Sequence, residues 1–145
     1  MRPFEPLYIL EVIPDLLPFL WVTLAVVAAS VILGTAFGFV LAAAKLSRYK
    51  ALRFVGDAYT GVVRCTPAVI LLFIVFYGLP KFFLDVFDYD INEIHKMIFV
   101  IIAFTLLFAA TMSEVIRSAY LAVDKGQYEA AVSVGMTPLQ ALYRI

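Results

Sequence analysis

The sequence has 145 residues, 64% of them hydrophobic and 15% charged, and its 11 basic and 11 acidic residues balance to a formal net charge of zero. Ordinary soluble domains carry roughly 25% charged residues, and a chain this short cannot bury so much apolar surface within itself, so its solvent is a bilayer. Zero net charge excludes a whole-chain electrostatic footprint for nucleic acid, and a single cysteine, Cys65, excludes an intrachain disulfide and a multi-cysteine zinc site.

Glu5, Glu11 and Asp15 precede the first apolar run, which is also too long for the core of a cleaved signal peptide. Leu16 to Ala44 contains no charged residue and exceeds the ~20 residues needed to cross about 30 Å of hydrocarbon. It is the first predicted span, 16–44. Within it Ser30, Gly34, Gly38 and Ala42 recur every four residues, forming a small-residue face that lets another helix approach closely.

Lys45, Arg48, Lys50, Arg53 and Arg64 follow against one acid, Asp57, the balance of a cytoplasmic loop. The next charge-free run, Cys65 to Pro80, is short for a span and borrows length from the mixed residues before it, giving a second predicted span over 60–80. Arg64-Cys65-Thr66-Pro67 reads as its helix start. Thr66 caps free amides, Pro67 takes the first helical position, and Arg64 anchors the interface.

Asp85, Asp88, Asp90 and Glu93 outnumber Lys81 and Lys96 in the next loop, the balance of an external segment, so the amino terminus is outside. His95 in that loop is the lone histidine and has no companion with which to ligate a metal. Met97 to Ser113 opens the third span, 97–122. Near its inner end Glu114 and Arg117 stand one turn apart, where mutual pairing is the economical arrangement and a gating role is the alternative.

In the segment 126–145, Gly126 is expected to end the third helix in a left-handed cap, and Tyr128 to Val134 to form a short helix closed by Gly135. Thr137 and Pro138 supply the cap and first position of another. Such a helix-turn-helix, with Ala130, Ala131 and Val134 as a shallow apolar surface, suits insertion into a groove on a soluble partner. The chain contains no Gly-Lys-Ser or Gly-Lys-Thr phosphate loop and no nucleophile paired with a base, so it reads as neither an ATP-binding subunit nor an enzyme. No cofactor is implied.

Glu129-Ala130-Ala131, three residues, Gly135 and then Ile145 resemble the EAA loop of ABC importer permeases. The wider pattern is similar to the polar amino acid permease family, of the histidine and glutamine permease type. Its Arg-Gly-Thr-Pro opening stands here as Arg64-Cys65-Thr66-Pro67, with Cys65 departing from the usual glycine. Its Glu-x-x-Arg turn stands as Glu114 and Arg117, ahead of Lys125-Gly126-Gln127.

The resemblance implies an all-α, polytopic transmembrane bundle in a bacterial inner membrane, a single permease domain over 1–145 cut within the EAA loop. It implies a coupling helix containing Glu129, Ala130, Ala131 and Gly135, seated on a cytoplasmic ATPase dimer. The other implied partners are a second permease subunit, identical or homologous, an external amino-acid-binding protein and membrane lipid. The family's loop continues into Leu-Pro and further spans, so this chain resembles the amino-terminal two thirds of a permease. The competing class is a membrane scaffold or assembly subunit that transports nothing, and association with an ATPase separates the two.

Overall fold

The computed structural model describes residues 7–144, with side chains for all of these except 7–10 and 142. Glu5 and Ile145 therefore lie outside the described residues. Every regular element among those described is helical, and three helical stretches are long and apolar enough to cross a membrane: Glu11–Leu46, Ala68–Phe87 and Lys96–Ala122. The chain is an all-α membrane protein.

Helix α1, Leu7–Leu16, begins well before the predicted first span and carries Pro14 within it. A 3-10 turn, Leu17–Phe19, joins it to α2, Leu20–Leu46. Pro14 and Pro18 each remove a backbone donor, which accounts for the tightened turn between two otherwise continuous helices.

Helix α2 packs along α6, Lys96–Ala122, through the predicted small-residue face. Ser30, Gly34, Gly38 and Ala42 are all buried. A Cβ added to Gly34 would meet Phe108 at 2.9 Å, and one added to Gly38 would meet Met112 at 2.8 Å. The matched advance of these contacts along both helices makes α2 and α6 parallel, so they finish at the same end of the bundle. Trp21, Leu24, Ile32, Phe39 and Val40 face outward as exposed apolar side chains, an arrangement that lipid tolerates and water does not.

The second predicted span, 60–80, is divided differently in the structure. Residues 60–65 belong to a separate helix, α3, Lys50–Cys65. The apolar rod starts at α4, Ala68–Phe73, passes through a π-helical turn, Ile74–Gly78, and ends with α5, Leu79–Phe87. Pro80 gives the turn a cause, because a proline ring crowds the carbonyl four residues earlier and a widened turn relieves it. The rod passes Lys81 because that side chain and Asp85 pair at 3.5 Å on its exposed surface, while Phe82, Phe83 and Phe87 keep the helix apolar.

Asp88, at φ 52°, closes α5 in the left-handed region. In the loop beyond it, Ile91 turns inward to a cluster with Val75, Phe99 and Ala103. The exposed His95 has a local structural role: its Nδ1 accepts the Met97 amide at 3.3 Å and caps α6.

Candidate functional site

Two regions gather the polar groups singled out in the sequence, and both lie toward the end of the bundle where α2 and α6 finish. The first is a charge cluster between helices. Lys45, at the last turn of α2, is 4% exposed. Its Nζ donates to Glu114 Oε1 at 2.7 Å and to Ser113 Oγ at 3.1 Å on α6. Glu114 Oε2 stands 3.7 Å from Arg117 Nη1.

The Glu114–Arg117 pair therefore exists as a loose contact, and the closer partner of Glu114 is Lys45. Sequence reasoning placed Lys45 in a basic cytoplasmic loop and missed this. The signal was present: Lys45 lies three residues after Ala42 and continues the buried face of Ser30, Gly34, Gly38 and Ala42 by helical spacing. An ammonium on that face requires an acid, and Glu114 supplies it from the facing helix.

Helix α3 completes the cluster. A Cβ on Gly56 would meet Lys45 Cγ at 2.8 Å, so glycine there makes room for the lysine stem. One turn on, Thr60 Oγ1 donates to the Gly56 carbonyl at 2.7 Å and lies 3.5 Å from Ser113 Oγ. Beside it the Tyr59 hydroxyl donates to the Leu106 carbonyl at 2.9 Å. Three helices thus meet around one buried lysine.

At the α3–α4 junction Thr66 and Pro67 act differently from expectation. Thr66 ends α3 instead of capping α4: its Oγ1 donates backward to the Val62 carbonyl at 2.8 Å. Pro67 is the N-cap residue of α4, without a side-chain cap bond. The Thr66 hydroxyl satisfies a carbonyl orphaned at the helix end, and Pro67 cannot continue α3 because it lacks the amide. Arg64 is exposed in the last turn of α3, where a cation complements the dipole.

The second region is the pair α7, Lys125–Ser133, and α8, Pro138–Arg144. Gly126 does not end α6. Helix α6 gives way to extended backbone at Val123, and the Asp124 carboxylate accepts the Gly126 amide at 2.7 Å, so Gly126 sits in the first turn of α7. An aspartate cap starts a helix more effectively than a glycine two residues later could stop the preceding one.

Gly135 does end α7. Its φ is 85°, its amide bonds the Val132 carbonyl at 2.9 Å and the Met136 amide bonds the Ala131 carbonyl at 3.1 Å, which is a Schellman closure. Thr137 then caps α8 reciprocally: Thr137 Oγ1 accepts the Gln140 amide at 3.3 Å and Gln140 Oε1 accepts the Thr137 amide at 2.9 Å.

Ala131 and Ala141 are buried where α7 and α8 pack together. Ala131 is therefore part of the internal seam of the pair and not of its surface, contrary to expectation, because burial of one small side chain is what lets two short helices touch. Glu129 and Ala130 are exposed, as are Tyr128, Val132, Val134 and Leu139. Among the described residues no three His, Cys, Asp or Glu side chains gather closely enough to hold a metal ion.

Comparison with known proteins bears on both regions. The chain is 43% identical over 129 residues to the nopaline transport system permease protein of Agrobacterium fabrum, an alignment covering 85% of this chain and 54% of that protein. It is 39% identical over 124 residues to the arginine transport system permease protein of Bacillus subtilis, covering 86% and 53%. To the histidine/lysine/arginine/ornithine transport system permease protein of Salmonella typhimurium it is 35% identical over 127 residues, covering 86% and 56%.

The chain thus spans about half the length of these relatives. Its fold superposes on a crystal structure of an amino acid ABC transporter with histidines, with a TM-score of 0.74 and 29% identity over 97% of this chain and 62% of that one. Residues 34–145, from the glycine seam to the end of α8 and beyond, match the family model, and the chain belongs to the binding-protein-dependent transport system inner membrane component family.

Proposed function

We propose that this chain is permease sequence of an ATP-driven importer of polar amino acids, supplying membrane spans and the segment that docks the ATPase. The observation that carries the reading is α7–α8: a helix pair closed by caps at Asp124, Gly135 and Thr137, with Glu129 and Ala130 exposed. It follows directly on a membrane helix whose Ser113 and Glu114 are bonded across to Lys45 of α2. The names of the relatives, transporters of nopaline, arginine and basic amino acids, support the substrate class.

In this reading the protein lies in the bacterial inner membrane with its amino terminus outside. The basic stretch from Lys45 to Arg64 and the α7–α8 pair face the cytoplasm, an orientation supported by the charge balance of the loops. An ATPase dimer hydrolyses ATP and seats against α7. A second permease subunit completes the pathway, and an external binding protein delivers the amino acid. Closure of the ATPases shifts the permease pair between outward-open and inward-open states, each ligand favouring the state it fits.

The test is reconstitution. The full-length permease, co-expressed with a candidate ATPase and binding protein from the same organism, is purified into vesicles and assayed for ATP-dependent uptake of labelled arginine, histidine and glutamine. Uptake of one or more, dependent on all three components, is expected. A membrane scaffold would retain none of this activity, and its ATPase would not co-purify.

A further inference from the structure

We infer that Lys45 is a positioning residue that locks α2 and α3 to the α7-proximal end of α6, so that movement of the coupling pair is carried into the bundle. The inference rests on the reading of α7–α8 as the ATPase-docking segment. It concerns how force leaves that segment, which docking alone does not specify.

Glu114 uses its two oxygens for different neighbours. Oε1 meets Lys45, whose side chain is 1% exposed, and Oε2 meets Arg117, whose side chain is 40% exposed and lies one turn nearer to α7. The carboxylate therefore joins a sealed contact to an open one. The open contact, at 3.7 Å, exchanges with solvent at little cost. The sealed contact does not, because its ammonium has Glu114 and Ser113 as partners and almost no exposed surface.

Helix α3 is held at the same point. Lysine and Gly56 interlock so closely that a single added carbon would overlap the Lys45 stem, and Thr60 stands within reach of Ser113. Sliding α6 past α2 or α3 at this level would strand a buried charge, so the three helices shift together. The close contacts at Gly34 and Gly38 resist slip by shape alone, and the buried charge at Lys45 adds an electrostatic penalty to it. The ion pair therefore fixes register where α6 approaches the segment that receives the ATPase.

The experiment compares uptake per ATP hydrolysed in the reconstituted complete complex. Lys45→Met and Glu114→Gln should each keep the ATPase bound and hydrolyse ATP within twofold of the unsubstituted complex, while moving at least tenfold less amino acid per ATP. The double variant should lose no more than either single one, because both changes remove one shared interaction. Lys81→Gln, which removes an exposed pair on α5, should leave the ratio unchanged.

An unchanged ratio in both single variants overturns the inference. So does a parallel fall in assembly and uptake in both, which would reduce Lys45 to a fold-stabilising residue. Glu114→Gln guards against the case in which Lys45→Met alone fails to insert, since the Glu114 side chain is one-third exposed. Failure of the docking reading is distinguishable: it would be visible in the unsubstituted complex as absent ATPase retention.

Discussion

Lys45 Nζ lies 2.7 Å from Glu114 Oε1 across the interface of two parallel membrane helices, and the lysine has almost no exposed surface. The charge is kept by a geometry that gives it two acceptors and by a glycine on a third helix that leaves space for its stem. Truncating Glu114 would leave the Lys45 ammonium buried with Ser113 as its remaining acceptor, at a cost of about 3–5 kcal/mol.

Burial of Lys45 predicts a pattern of chemical reactivity. With an amine-directed reagent applied to the folded protein in detergent, Lys81 and Lys50 should label readily, and Lys45 should stay at least tenfold less modified until the protein is denatured. Mass spectrometry of the peptides reads the result. Equal labelling of Lys45 and Lys81 would show that the α2–α6 junction is open to water.

The glycines divide into two groups with opposite expected behaviour. Gly38→Ala places a methyl group 2.8 Å from Met112 Cβ, and Gly56→Ala places one 2.8 Å from Lys45 Cγ, so each should destabilise by about 1–3 kcal/mol through overpacking. Gly61 is helical and has nothing within 4 Å of an added Cβ. Gly61→Ala should therefore be neutral or stabilising by up to ~1 kcal/mol. Apparent Tm in detergent should fall for the first two and hold or rise for the third.

Orientation is testable by labelling. In a background with Cys65 replaced by serine, cysteines introduced at Arg48 and Asp88 should react with a membrane-impermeant thiol reagent from opposite sides. Asp88 labels in intact cells or spheroplasts and Arg48 only in inverted vesicles. Labelling of both positions from outside contradicts the proposed orientation.

The sequence announced the membrane class, the small-residue seam and the terminal helix pair because each rests on local chemistry. Charge-free length, four-residue spacing and the Gly135 and Thr137 signals can each be read within one contiguous segment. Where it misled, the deciding contact came from elsewhere in the fold. Lys45 looked like a loop cation until α6 brought Glu114 to it, and Ala131 looked like surface until α8 covered it. Thr66 was compatible with both capping α4 and closing α3, and the choice depended on how α3 ended. Gly126 was overruled by a stronger neighbour, Asp124.

The proposed seating of the ATPase on α7 is open to a test that places bulk on the exposed side of that helix without disturbing the spans. Ala130 is exposed whereas Ala131 is sealed against α8, so Ala130→Trp blocks a docking surface and leaves the helix pair intact. Gly135→Ala serves as its companion, because the left-handed backbone at φ 85° costs a non-glycine residue roughly 1–2 kcal/mol and loosens the turn. In the complete complex, Ala130→Trp should insert at normal levels, retain less than a tenth of the ATPase in co-purification and lose uptake in proportion, with Gly135→Ala intermediate. Normal ATPase retention and normal uptake with Ala130→Trp would show that the ATPase does not seat on α7.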